Sequence, residues 1–345
     1  MPTMLWALLS LQQVLVVSPD GPYHTIGDAV RAAPVGAVIE VRAGVYHEPT
    51  VTIERTVEVR GQPGAILDGE GARSLMVIRA PGVTVRGLEF RNTGSSYSED
   101  RAALKVLETR DCSIIDNQFR NTFFGIYLQA AAGCVVRGNI LEGEIGREGG
   151  TGNGIHAWTA LGLTVQDNTV SGHRDGIYLE FSRHAVIEHN RSEGNRRYGL
   201  HFMYSDSSRY VGNVFQANGT GVAVMYTRHV AMRDNRFQDN RGPASYGLLL
   251  KEIADAELVG NRFGDNTTAL VADGADRIVV QGNRFDHNGR AIRLLASTAD
   301  GRFLDNDFVG NTFDVVANSR RIRAEFRGNH WDRYRGWDLA GDGTG

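Results

Sequence analysis

Six glycines, Gly125, Gly154, Gly176, Gly199, Gly221 and Gly247, are each followed by residues that alternate along an extended strand. Such alternation sends the first and third residues to one side and the second and fourth to the other. The first-and-third set (Ile155/Ala157, Ile177/Leu179, Leu200/Phe202, Val222/Val224, Leu248/Leu250) is apolar and reads as core. The opposite side carries two columns. One runs Tyr127, His156, Tyr178, His201, Ala223, Leu249; the other runs Gln129, Trp158, Glu180, Met203, Met225, Lys251. A solvated face would show Lys, Thr and Glu. This one shows imidazoles, thioethers and aromatic rings, so it reads either as a binding surface or as a second small core beneath a loop.

The chemistry on offer is specific. His201, Met203 and Met225 supply an imidazole and two thioethers, a soft donor set suited to Cu(I) and poor for Ca²⁺ or Mg²⁺. His156 and Glu180 are the next candidates on that face. No CxxC, HExxH or EF-hand loop competes with them. Just before two of the strands stand Arg174-Asp175 and Arg196-Arg197. Asp175 and Arg197 read as a surface ion pair between neighbouring segments. The same residues also fit a polysaccharide site, with Asp175 as base, an arginine on a uronate carboxylate, and His201 or Tyr178 as acid. Trp158, Tyr204, Tyr226 and Lys251 complete the candidate binding face.

Columns this regular require a repeating scaffold, and the chain repeats. Tetrads such as DNQF, DNRF and GNRF place Asn117, Asn139, Asn168, Asn190, Asn213, Asn235, Asn261, Asn283, Asn306 and Asn329 at separations of 22, 29, 22, 23, 22, 26, 22, 23 and 23. A second Asn follows five places later at Asn195, Asn218, Asn240, Asn266, Asn288 and Asn311. Each unit holds two or three short strands and no helical period, which fits one coil of a right-handed parallel β-helix. Two places after each tetrad Asn stands an inward apolar residue, from Phe119 through Phe237 to Trp331, interrupted only by Ser192. Cys112 and Cys134 share another inward column, as does Ile278, and read as a buried thiol stack rather than a disulfide. The Asn ladders are expected to tie side-chain amide to backbone at left-handed turns, one hydrogen bond each.

The expected architecture is therefore all-β, one parallel β-helix domain over 14–345. Thr25–Ala33 reads as a short capping helix with Thr25 as N-cap. Val38–Val45, Val51–Val59 and Val83–Phe90 read as strands. Insertions at Gly143–Asn153 and Arg241–Ser245 should emerge on one side. The remaining histidines, His24, His47, His173, His184, His189, His229, His287 and His330, read mostly as solvated. The 42 glycines of 345 residues serve turns, and a net charge of −3 argues against nucleic acid as the main partner. Residues 1–13 are the candidate remnant of a secretory signal, without a preceding Lys or Arg.

The runs GNGIHAW (152–158), SGHRDGIYLEFS (171–182), RRYGLHFMYS (196–205), GVAVMYT (221–227) and GLLLKE (247–252) resemble the NosD family, periplasmic maturation proteins of nitrous oxide reductase. The resemblance extends to LVVSPDGPYHTIGDAVRAAP near the start and NHWDRYRGWDLAGDG near the end. It implies a non-enzymatic accessory protein in the periplasm. Its expected partners are an ABC transporter ATPase and permease, a membrane-anchored copper chaperone, and nitrous oxide reductase, whose copper centre is being assembled. The reading from a different class, on the same fold, is a polysaccharide lyase or uronate epimerase.

Overall fold

A computed structural model describes residues 13–96, 98–146, 150–295, 297–319 and 323–336. The candidate signal segment falls almost wholly outside the described residues. The chain winds as a right-handed solenoid in which each coil contributes one short strand to each of three parallel sheets. Among the described residues the sheets hold 14, 13 and 12 strands. One coil shows the plan: Val186–Glu188 lies in the first sheet, Arg191–Glu193 in the second and Tyr198–Met203 in the third. Each strand pairs in parallel with its equivalent in the next coil, as Ile187 with Tyr210 and Ser192 with Phe215.

The corner between the first two sheets is built by the Asn tetrads. The backbone N–H of Asn213 donates to Asn235 Oδ1 at 3.0 Å, and Asn213 Nδ2 donates to the same oxygen at 2.9 Å and to the Ile187 carbonyl at 2.8 Å. This pattern recurs from Asn117 to Asn306. The turn itself departs from expectation. The left-handed residue is the one before the Asn, for example Asp234 (φ 56°), Asp305 (φ 54°) or Gly260 (φ 66°). That explains the alternation of Asp and Gly at the head of the tetrads, since both tolerate positive φ better than most residues. The Asn is thereby left free to point inward and bond.

Inside, Phe215, Phe237, Phe263, Phe285, Phe308 and Trp331 stack ring on ring at 4.2–5.6 Å. Ser192 breaks the stack and donates its hydroxyl to the Gly199 carbonyl at 2.7 Å. Cys112 and Cys134 are both free and buried, and the Cys112 N–H donates to Cys134 Sγ at 3.4 Å.

The N-terminal runs are divided more finely than the sequence suggests. Val38–Val41 and Gly44–Tyr46 are separate strands, as are Thr84–Arg86 and Glu89–Arg91, because the chain must turn a corner between sheets within each run. The helix spans Ile26–Ala32; Thr25 caps it by accepting from the Asp28 N–H at 3.0 Å. Ile26, Ala29 and Val30 are buried against the first coils. The Glu48 carboxylate accepts from the Ile26 and Gly27 N–H groups at 2.9 and 2.8 Å, satisfying donors that a helix start leaves open. Among the described residues no helix is long and apolar enough to cross a membrane.

Candidate functional site

The third sheet carries the glycine-led strands, and its register aligns the outward residues. Tyr127, His156, Tyr178, His201, Ala223 and Leu249 lie directly above one another, as do Gln129, Trp158, Glu180, Met203, Met225 and Lys251. In the first column the rings touch: Tyr127 to His156 at 4.9 Å, His156 to Tyr178 at 4.8 Å, Tyr178 to His201 at 4.7 Å. Tyr198 packs on His201 from its own strand, also at 4.7 Å. Glycine at the start of each strand is required by closeness. A Cβ on Gly176 would stand 2.1 Å from Ser192 Oγ, and one on Gly199 2.6 Å from Asn218 Nδ2.

Outward does not mean exposed. Tyr127, His201, Ala223 and Leu249 are buried although they point away from the solenoid axis. At one end Ala102, Phe124 and Tyr127 form a second small core with Leu107 and Phe123 packed on it. Further along, the covering is polar. Asp175 is completely buried and faces Arg197 Nη2 at 3.2 Å and His201 Nδ1 at 3.4 Å through one oxygen, Oδ2. The expected surface ion pair is therefore an ion pair with a buried carboxylate. Arg197 lies over the Tyr198 ring at 5.0 Å.

Several buried polar atoms here have no partner: Asn153 Oδ1, both ring nitrogens of His173, Arg174 Nε, Asp175 Oδ1, Arg197 Nε and His201 Nε2. They account for seven of the ten such atoms found among the described residues. His173 is a correction to the sequence reading, which took it as solvated. It stands five places after Asn168, in the column that Asn195 to Asn311 occupy, and is wholly buried. Burial pushes its imidazole down to about 4. His156 is also lowered to about 4, by burial first and then by the Arg174 charge, and its Nδ1 lies 3.3 Å from Asn153 Nδ2. Burial and the Glu180 carboxylate push the Tyr178 phenol well above its usual range.

Of the predicted site residues, His201, Met203 and Tyr178 come together: Tyr178 Oη is 4.0 Å from Met203 Sδ. Met203 and Met225 are register partners on adjacent coils, both half-buried. His156 is kept from His201 by the intervening Tyr178 ring. Glu180 and Trp158 continue the Met column on the other side, and Lys251 ends it in an ion pair with Asp273 at 3.2 Å. Among the described residues no group of three or more His, Cys, Asp or Glu is placed to hold a metal.

Sequence reasoning missed two features. Tyr246, just after the second insertion and directly before Gly247, lies beside Tyr198 and Arg197, and burial raises its phenol. Phe181 joins Tyr204 and Tyr226 in an exposed ladder, with ring centroids 5.1 Å apart at each step. Its signal was present: all three stand five places after their strand's glycine.

The sequence model of a family described as "Periplasmic copper-binding protein (NosD)" matches residues 143–336, the stretch that holds this face from His156 onward. A protein of Pseudomonas aeruginosa named "Probable ABC transporter binding protein NosD" is 34% identical over 312 residues, covering 85% of this chain and 72% of its own. One of Stutzerimonas stutzeri with the same name is 30% identical over 323 residues, covering 88% and 73%. Among solved structures, the A-module of the Azotobacter vinelandii mannuronan C-5 epimerase AlgE6 superposes with a TM-score of 0.74 over 88% of this chain and 92% of its own. At 16% identity that likeness speaks for the fold alone. Sequence kinship of this depth along most of the chain decides the matter: the protein belongs to the NosD family.

Proposed function

We propose that this protein is a periplasmic accessory protein that binds Cu(I) as cargo and hands it on during assembly of the copper centre of nitrous oxide reductase. The observation that carries the reading is the soft face of the third sheet: Met203 and Met225 in register, beside an imidazole whose Nε2 is buried without a partner. Two thioethers and an imidazole match a soft monovalent ion, and they hold it less tightly than thiolates would. That suits transfer rather than storage. The family's description as periplasmic and copper-binding supports the reading, and the names of the relatives support work with an ABC transporter. Its ATPase and permease, a membrane-anchored copper chaperone and nitrous oxide reductase are the proposed partners.

The polysaccharide reading draws on the same fold and on Asp175, Arg197, His201 and Tyr178 meeting at one place. Burial weighs against it. Asp175 has no exposed surface and so cannot reach a polymer, and the Tyr178 phenol is shifted away from the range a base or acid at neutral pH needs.

The test is a competition titration against a chromogenic Cu(I) chelator. Met203→Leu/Met225→Leu conserves volume and should cost under about 1.5 kcal/mol of stability. Cu(I) affinity should fall at least tenfold in the double variant. Equal binding by both proteins, or none by either, removes these residues as ligands.

A further inference from the structure

The buried carboxylate beside the soft face has no role in the reading above. Asp175 begins its strand, in register with Tyr198, and is enclosed on all sides. A buried carboxylate needs donors, because nothing else offsets the water it has lost. Asp175 has two within reach, both at Oδ2: Arg197 Nη2 at 3.2 Å and His201 Nδ1 at 3.4 Å.

His201 Nδ1 has two neighbours of opposite demand. Asp175 Oδ2 can only accept, whereas Arg197 Nη2, 3.5 Å away, can only donate. If Nδ1 were a bare lone pair it would bond to the arginine and oppose the carboxylate. If it carries the proton it donates to the carboxylate. The two neighbours are not equally needy. The Arg197 side chain is 39% exposed, so its guanidinium reaches solvent even though its Nε is buried; the Asp175 side chain is 1% exposed and does not. The carboxylate therefore takes the proton-bearing nitrogen. Tyr178 and Tyr198 each pack on the ring at 4.7 Å and so restrict its movement.

We infer that Asp175 is a positioning residue: it holds His201 in the Nδ1–H tautomer and so keeps Nε2 as a lone pair. Nε2 is the atom that is buried without a partner. A carboxylate behind an imidazole also makes that imidazole a better donor to a metal. This second half of the inference rests on the Cu(I) reading; the tautomer itself does not.

The experiment separates the two. Long-range ¹H–¹⁵N correlation spectra of the metal-free, histidine-labelled protein report which ring nitrogen carries the proton, at a pH where the imidazole is neutral. His201→Gln identifies the resonance among the 10 histidines. The wild type should show protonated Nδ1 and bare Nε2. Asp175→Asn, whose amide can donate as well as accept, should give a mixture or the opposite tautomer. A protonated Nε2 in the wild type overturns the assignment, as does an unchanged tautomer in Asp175→Asn. Should that variant not fold, the wild-type spectrum decides alone. Arg197→Met serves as the second probe: it removes the rival partner and should keep Nδ1 protonated, and loss of that proton would count against Asp175. A chelator titration then reads the metal half. Cu(I) binding by Asp175→Asn should weaken about 10- to 100-fold. A shifted tautomer with undiminished Cu(I) affinity overturns the role toward the metal, whereas failure of the wild type to bind Cu(I) overturns the reading of the preceding section.

Discussion

The corner between the second and third sheets is built twice, and the two versions differ. From Asn195 to Asn288 each Asn in the column donates its backbone N–H to the Oδ1 of the next, and buried polar atoms find partners of their own kind. One coil earlier the same column holds His173, whose backbone N–H still joins the ladder through Asn195 Oδ1 at 3.1 Å while both ring nitrogens go without partners. Around it lie Asn153, Arg174, Asp175, Arg197 and His201, each with a buried polar atom unpaired. A repeat can satisfy buried amides indefinitely, because each coil supplies what the next one lacks. Where it stops doing so, the fold is carrying polar groups that it does not need for its own closure. Unsatisfied buried groups of this kind call for an explanation that the repeat itself does not supply.

The largest effect should come from breaking the satisfied version. The sequence reading gives Asn266 one turn hydrogen bond. The structure gives it four: Nδ2 donates to the Phe237 carbonyl at 2.9 Å and to Asn288 Oδ1 at 3.1 Å, while Oδ1 accepts from Asn240 N at 3.2 Å and from Asn240 Nδ2 at 3.0 Å. Asn266→Ala leaves several of these partners buried and unpaired, so it should cost about 3 kcal/mol rather than about 1. Urea melts measure the difference. A loss below about 1 kcal/mol would show that the ladder tolerates gaps, and the contrast with the His173 corner would lose its meaning.

Next in size is the effect of restoring the ladder at its exception. His173 titrates near 4 in the folded chain against about 6.5 unfolded, because burial disfavours the imidazolium. A depressed histidine means that the unfolded chain binds the proton more readily. Its contribution is thus whole above pH 6.5, declines as pH falls toward 4, and is gone below. Between pH 7 and pH 4.5 it removes about 2–3 kcal/mol. His173→Asn should remove that share of acid sensitivity, leaving the share that His156 contributes in the same direction. Comparing urea midpoints of both proteins at the two pH values isolates it. Identical acid losses would mean that His173 already finds a partner for its proton.

What could be read in advance follows the same division. Period, inward columns, capping helix and the alignment of His201, Met203 and Met225 all follow from alternation and spacing, which act within a strand or between identical coils. Alternation tells which side a residue faces but not what lies over it. The burial of His201 depends on Tyr198 and on rings one coil away, and Tyr246, which precedes Gly247 as Tyr198 precedes Gly199, meets Tyr198 past an intervening coil, a contact that alternation does not show. His173 was hidden for a related reason: the eye reads a histidine as polar, whereas its column had already assigned it to the interior. The Asp or Gly before the Asn was visible in nine of the ten tetrads, with His189 in the tenth, yet its left-handed turn needed backbone angles to be recognised.

The smallest effect tests whether a regular column must be structural at all. Phe181, Tyr204 and Tyr226 form a ladder as even as the phenylalanine stack, but they are 48%, 44% and 39% exposed, and each sits at a left-handed φ of 50–54°. Bulky side chains are rarely found there, and such strain costs on the order of 1 kcal/mol or more per residue. Tyr204→Asn removes two ring contacts worth about 0.5–1.5 kcal/mol each when well packed, and less when half in water. It also places at φ 50° a residue that accepts that conformation readily. The two changes should nearly cancel, within about 1 kcal/mol in a urea melt. A loss above about 2 kcal/mol would make the outer ladder a second spine beside the phenylalanine stack. A near-zero change would mean that the ring contacts do no more than offset the strain, so that the ladder adds no net stability to the fold. The three rings would then stand where they do for something outside the chain, one step along the strand from Met203 and Met225.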